Sequence, residues 1–229
     1  MADSVEYSIN RPDRYAPIGV FFDQINQAGE WRFDIHYSST TKLDLYNGTA
    51  KISDLAALDE YTYIPIGMNI ESTTLSISAA PTDLLTLMIV APYTSNKISL
   101  TNGTATSNVS SEGFEDISIL VIQKLMDYQQ SRWLFHTGLS IPVGAIDEDD
   151  SSGTRLGYPL QLGSGTYDFL FGTTYFVQRK HVSYGAQGSG EFRFGQNRYD
   201  YKLGNTYNVS SWIQAIVGKN IGLSLRGSM

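Results

Sequence analysis

The feature that most limits what this chain can fold into is a hydropathy period of two, repeated in segment after segment of bilayer-crossing length. Residues 31–37 read Trp-Arg-Phe-Asp-Ile-His-Tyr. As a strand they place Trp31, Phe33, Ile35 and Tyr37 on one face and Arg32, Asp34 and His36 on the other. Segments 70–79, 84–93, 132–141, 167–178, 183–194 and 206–216 alternate in the same way, and another strand begins at Ile221, Leu223 and Leu225. Segment 115–125 is apolar on both faces, and Ile117, Ile119 and Val121 are assigned outward. Most of these runs are about ten residues long. A tilted strand needs ~9–11 residues to cross a bilayer, whereas soluble strands cluster at ~5–6.

The connections alternate too. Long segments at 38–68, 94–114, 143–166 and 195–205 are separated by short ones at 80–83, 126–131, 179–182 and Gly218-Lys219-Asn220. Outer-membrane barrels have short periplasmic turns and long outer loops, whereas a Greek-key sandwich has no reason to keep that step. The first strand therefore runs outward from the periplasmic side. Pro92 and Pro142 are expected near outer strand ends, where a missing N–H is tolerated.

Composition narrows the class further. Charged residues make up 17% of the chain, below the ~25% typical of soluble domains. The net charge of −7 argues against a nucleic-acid partner. Without cysteine there is neither a disulfide nor a thiolate metal site. Residues 1–20 carry no apolar h-region, so no signal peptide is expected in this chain. No run approaches ~20 apolar residues, so a bilayer crossing would have to be a closed barrel.

These signals predict an all-β, antiparallel up-and-down transmembrane β-barrel. It is read as one domain over residues 1–229, with an N-terminal segment 1–30 and barrel strands and loops over 31–229. About nine strands are visible. Because single-chain bacterial barrels have even numbers, either the barrel is cut from a larger one or a strand is hidden at 42–52. The lipid-facing aromatic residues are expected to be Trp31, Phe33, Tyr37, Tyr93, Trp133, Phe135, Phe169, Phe171 and Tyr175. The lumen-lining set, which would select solutes, is Arg32, Asp34, His36, Glu71, His136, Asp168, Gln187, Glu191 and Arg193. Opposite charges on neighbouring strands would set a field across the lumen; alternatively they satisfy one another and plug it.

Other motifs carry less. Residues 52–58 suit one helical turn capped by Ser53 or Asp54. The acidic run 147–150 lacks the ligand spacing and central Gly of an EF-hand loop and reads as a solvated loop, so no metal is expected. His36, His136 and His181 are scattered, and no Gly-x-Ser-x-Gly elbow or phosphate-binding glycine loop with Lys is present. Neither catalytic residues nor a cofactor are expected, and the chain reads as a non-enzyme.

A resemblance adds to this. Tyr158-Pro-Leu-Gln-Leu-Gly-Ser-Gly-Thr-Tyr-Asp168 resembles a signature of outer-membrane transporter-like barrels of the phenol-degradation meta-pathway type. Ala16-Pro-Ile-Gly19 with Gly29-Glu-Trp-Arg-Phe33, Pro81-Thr-Asp83 with Leu87, and Gly113-Phe-Glu-Asp116 resemble further stretches of that family, so the likeness spans roughly residues 16–216. The resemblance implies an outer-membrane barrel passing small hydrophobic or aromatic molecules. The chain departs from the usual pattern at its end, Leu225-Arg-Gly-Ser-Met229, which lacks a terminal aromatic residue.

The expected function is therefore a Gram-negative outer-membrane, porin-like transport barrel, whose partners are outer-membrane lipid, lipopolysaccharide and small solutes. The alternatives are a plugged structural or adhesion barrel whose outer loops bind a partner, and a soluble β-sandwich or β-solenoid lectin.

Overall fold

The computed structural model describes residues 11–217 and 221–229. Nine strands form one antiparallel path: β1 (Trp31–Lys42), β4 (Ile64–Thr82), β5 (Leu85–Thr101), β7 (Ile117–Tyr128), β8 (Ser131–Ile141), β9 (Asp168–Gln178), β10 (Val182–Arg193), β11 (Thr206–Ile216) and β12 (Gly222–Ser228). A tenth strand, β6 (Thr106–Phe114), pairs with the outer half of β5. β2 (Leu45–Asn47) and β3 (Ala50–Ile52) form a separate small hairpin.

The alternation written in the sequence sets the faces. β1 pairs with β4 without a register break, placing Phe33 opposite Ile77, Ile35 opposite Leu75 and Tyr37 opposite Thr73. The same row continues through Ile89 of β5, Ile119 of β7 and Leu139 of β8. These side chains point away from the concave side and stand exposed: Trp31 is 68% accessible, Phe33 74% and Ile35 76%. The outward assignment of Ile117, Ile119 and Val121 agrees with this register.

Long and short connections alternate as the sequence implies, but two of the long ones contain more structure. Residues 94–114 are not a loop: β5 runs on to Thr101, still paired with β4, and returns as β6, so these three strands extend past the loop end of β7. Pro92 consequently lies inside β5 rather than at its end. It sits where the second neighbour of β5 changes from β7, last paired at Val90, to β6, first paired at Tyr93. At that handover the absent N–H breaks no continuous ladder. Segment 42–52, the candidate for a hidden barrel strand, forms the β2–β3 hairpin instead. The helical turn expected at 52–58 is α1 (Asp54–Leu58), with the Ser53 hydroxyl accepting from the Ala56 N–H at 3.3 Å. The short connection expected at Gly218-Lys219-Asn220 lies outside the described residues.

β1 and β12 are the two edges of the path, each with one strand neighbour among the described residues, and both run from the short-turn end toward the long-loop end.

Candidate solute pathway in the barrel interior

The inward face is filled from both ends, and chain positions distant in sequence do the filling. From the short-turn end, residues 11–30 enter as a non-strand loop and return. The bolts along it are side chains of the wall. Ser183 donates to Asp13 O (3.5 Å), Gln214 Nε2 to Tyr15 O (2.7 Å), and Arg226 Nη1 to Gly19 O (2.9 Å). Gln187 Nε2 donates both to Phe21 O (2.6 Å) and to Thr174 Oγ1 (2.8 Å). On the way out, Asn26 donates through its N–H to Thr86 Oγ1 (3.0 Å) and through Nδ2 to Ser78 Oγ (2.9 Å). Residues 28–30 then lie against the β4–β5 turn, with Ala28 N–H on Asp83 (2.8 Å) and Gly29 N–H on Ala80 O (2.8 Å).

The loop is also packed. Val20 joins Phe176 and Trp212 in a small buried cluster, with Ala16 against it. Leu120, Ile122 and Leu134 add fully or nearly fully buried apolar side chains on the inward faces of β7 and β8. At the tip, Phe21 meets His36 edge-on at 5.2 Å and Phe22 meets His136 at 5.0 Å. Phe22 adopts φ of 61°, an uncommon backbone state for a bulky residue, which the surrounding contacts must hold in place.

The plug has a charge balance of its own. Enclosure pushes the Asp23 carboxyl up to about 6, against the Ala16 N–H that it accepts at 2.7 Å. Burial also acts to raise Asp13, but Arg11, paired at 2.7 Å, and Ser183 outweigh it and hold that carboxyl below its usual value.

From the long-loop end, residues 142–167 fold back over the wall. Asp116, immediately before β7, grips them: its Oδ1 accepts from Gly144 N–H (3.0 Å), and its Oδ2 accepts from Ser164 N–H and Ser164 Oγ (2.8 Å each). Thr166 Oγ1 donates to Asp168 (2.7 Å), and Asn197 Nδ2 of the next long loop donates to Ser164 O (3.1 Å). Two glycines are required by the approach of backbone to backbone. A Cβ on Gly163 would stand 2.5 Å from Gly144 O, and one on Gly144 would stand 2.8 Å from Gly163 Cα. Gly113-Phe-Glu-Asp116 and Gly163-Ser-Gly-Thr-Tyr-Asp168, separate in sequence, thus form one clamp. The two outer loops are also joined by Arg155, whose guanidinium lies 3.9 Å from the Tyr199 ring, and by the stack of Tyr158 on Tyr201 at 3.5 Å.

The predicted lumen residues divide between these two fillings. Arg32, Asp34, His36, His136 and Gln187 lie at the level of the plug, and Asp168, Glu191 and Arg193 at the clamp. Their charges are paired locally: Arg32 with Asp34 at 2.7 Å, and Arg193 with Glu191 at 2.8 Å and Asp168 at 3.5 Å. Glu71 is a correction. It stands opposite Ser39, two positions beyond the outward pair Tyr37–Thr73, so the unbroken pleat turns it outward. There it lies past the aromatic row Tyr37, Tyr93 and Phe114, on an exposed stretch whose neighbour on β5 is Ser95.

Of the expected lipid-facing aromatics, Trp31, Phe33, Tyr37, Tyr93, Trp133 and Tyr175 are exposed. Phe135, Phe169 and Phe171 share the outward parity but are half-buried; for Phe169 and Phe171 outward rings cover one another, as in the stack of Phe171 on Phe192 at 4.9 Å. The plug itself was not legible as such in the sequence. Its one signal is the apolar run Ile18 to Phe22 in a segment with no strand period.

Between the plug and the inward faces of β1, β4 and β5 a cavity of about 350 Å³ remains, lined by Phe21, Phe22, His36, Thr74, Met88 and Val90 among others.

No protein-family model matches the chain, and no curated protein matches it. Its architecture matches that of the COG4313 outer membrane channel from Pseudomonas putida F1, with a TM-score of 0.67 and 15% sequence identity, over 93% of this chain and 75% of that one. The chain thus shares the fold of that channel, an antiparallel up-and-down sheet curled as a β-barrel wall, with β1 and β12 as its two edges among the described residues.

Proposed function

We propose that this chain is an outer-membrane barrel that admits small hydrophobic or aromatic solutes to its interior and passes them when the 11–30 loop yields. One observation carries this. The outward face carries exposed large apolar side chains from β1 to β12, while the inward face carries buried polar side chains such as Thr86, His136, Thr174, Gln187 and Gln214 and is loop-filled and cavity-bearing. In water such a belt would far exceed the few hundred Å² of contiguous apolar surface that soluble monomers show. Facing hydrocarbon, it is what a spanning barrel needs. Support also comes from the shared fold with a protein described as an outer membrane channel, and from the sequence resemblance to the phenol-degradation type of barrel. On this reading the partners are outer-membrane lipid and lipopolysaccharide outside and the solute inside, and the chain is not an enzyme.

A second function, a plugged barrel whose outer loops hold a partner, is favoured by the local pairing of the lumen charges and by the bolts on the plug. Planar-bilayer recordings separate the two. Discrete conductance steps from the refolded protein, larger or more frequent in a Gln187→Ala/Gln214→Ala variant, are expected for passage. Silence from both proteins, with heat-modifiable gel migration intact, would leave only the plugged barrel.

A further inference from the structure

Where β4, β5 and β6 extend past the loop end of β7, their outward side chains stand in rows two residues apart. Tyr37, Thr73, Tyr93 and Phe114 form the last aromatic row on these strands. Next come Ser39, Glu71, Ser95 and Glu112, then Thr41, Asn69, Lys97 and Ser110. Gly67, Ser99 and Asn108 make the row after that, and Leu43 covers the bare Gly67, 3.8 Å from where a Cβ would stand. Aromatic girdles mark the edge of the hydrocarbon. Lys97 is four residues past Tyr93, ~13 Å along the strand and roughly 10 Å in height at a tilt of ~35–45°. In an outer leaflet that level holds the phosphorylated sugars of lipopolysaccharide, whose acyl chains would cover the apolar belt directly below.

A hollow of about 550 Å³ opens on the two upper rows, bordered by Leu43, Asn69, Lys97, Ser99, Asn108 and Ser110 among others. Its further apolar lining, Met68, Ile98 and Val109, is made of alternate residues that the pleat turns to the opposite face, and Ile66 sits in the bulge of β4. The donors in the hollow are set in advance. Thr41 Oγ1 donates to Asn69 Oδ1 (2.9 Å) and Ser99 Oγ donates to Asn108 Oδ1 (2.7 Å), which leaves each amide its NH2 group for a ligand. Among the described residues neither Nδ2 has an acceptor, and Lys97 has no ion-pair partner. Two free amide donors around one free ammonium suit phosphate oxygens. Glu71 and Glu112 stand diagonal to Lys97, one row nearer the belt. They disfavour a bare anion, but they accept from hydroxyls. The ligand that fits both carries phosphate and hydroxyl groups side by side.

We propose that the outward face of the β4–β5–β6 extension is a binding site for the phosphorylated sugar headgroup of lipopolysaccharide. A phosphate lies on Lys97, Asn69 and Asn108, and neighbouring sugar hydroxyls meet Ser110, Glu71 and Glu112. The site rests on the reading that the chain spans an outer membrane, and it is independent of whether solutes pass.

The probe is deep-rough lipopolysaccharide, lipid A with its innermost core sugars, titrated onto the refolded protein in detergent and counted by native mass spectrometry. The expected result is saturable binding to wild type, at least tenfold weaker in Lys97→Glu and about three- to tenfold weaker in Asn69→Ala/Asn108→Ala. Lys202→Glu, the same charge change on the exposed 195–205 loop, should bind as wild type does. Removing the phosphates from the probe should weaken wild-type binding to the level of Lys97→Glu. Heat-modifiable migration establishes that each variant is folded; if Lys97→Glu is not, Lys97→Gln takes its place with an expected loss of about three- to tenfold. Equal binding by wild type and the Lys97 variant would overturn the proposal, as would an equal loss in Lys202→Glu, the mark of charge attraction without a site. Glucosamine 1-phosphate competing as tightly as the lipid binds would assign the hollow to a free phosphosugar and overturn lipopolysaccharide as its occupant. Bilayer insertion is measured separately: a refolded protein that does not insert sinks the membrane reading and the site with it, insertion without saturable lipopolysaccharide binding sinks the site alone, and binding with electrically silent bilayers keeps the site and sinks passage.

Discussion

Replacing Asp116 with Ala removes the acceptor of three hydrogen bonds that hold the 142–167 segment against the wall, at 2.8, 2.8 and 3.0 Å. Hydrogen bonds to a charged group contribute ~1.5–3 kcal/mol each, and because three donors sharing one carboxylate do not add fully, a loss of about 3–5 kcal/mol in loop docking is expected. Each ~1.4 kcal/mol is tenfold in an equilibrium, so the undocked population should rise by about two to three and a half orders of magnitude. The assay is limited tryptic cleavage at Arg155, which the docked loop holds through its Nε–H on Ile146 O at 2.8 Å and its contact with Tyr199. When opening is fast relative to cleavage, the cleavage rate tracks the open population. Asp116→Asn keeps one acceptor oxygen and should fall between the two. A cleavage rate at Arg155 unchanged in Asp116→Ala, in a barrel that still shows heat-modifiable migration, would refute the clamp as the element that closes the outer end.

Further outcomes follow from the same contacts. Gly172→Ala puts a Cβ 2.5 Å from the His136 ring and 2.8 Å from Gly188 O, so it should destabilise the wall by about 1–3 kcal/mol, read as a lower temperature for the heat-modifiable gel shift. For Asp23, docking raises the carboxyl from 3.8 to about 6, so the docked plug binds the proton more tightly than the free one does. Docking should therefore weaken as pH rises from about 4 to about 6 and level off above that, measured as amide exchange at Val20; Asp23→Asn should flatten this window. Asp13 acts in the opposite sense and at lower pH, its stabilising contribution being lost as the carboxyl protonates below its ordinary value of 3.8. Glu71→Gln should leave conductance and ion selectivity unchanged, since Glu71 points away from the lumen; altered selectivity would contradict the β1–β4 register.

What the sequence determined by itself is everything that has a period. Alternation in 31–37, 84–93 and 132–141 is a local property of the pleat, so strand identity, the outward set from Trp31 to Tyr175 and the rhythm of short and long connections could be read without coordinates. At Glu71, expected in the lumen, the pleat decides the face, because a side chain cannot change faces without a bulge and β1–β4 has none. Only the tertiary structure decided what fills the barrel. The plug is held by bonds such as Gln214 to Tyr15 and Gln187 to Phe21, across 199 and 166 residues, and the clamp joins Asp116 to Ser164 across 48. Such pairings leave no periodic trace in the chain. They exist because curling the sheet brings inward side chains from distant strands around one shared interior, where buried polar groups are stabilised by finding partners.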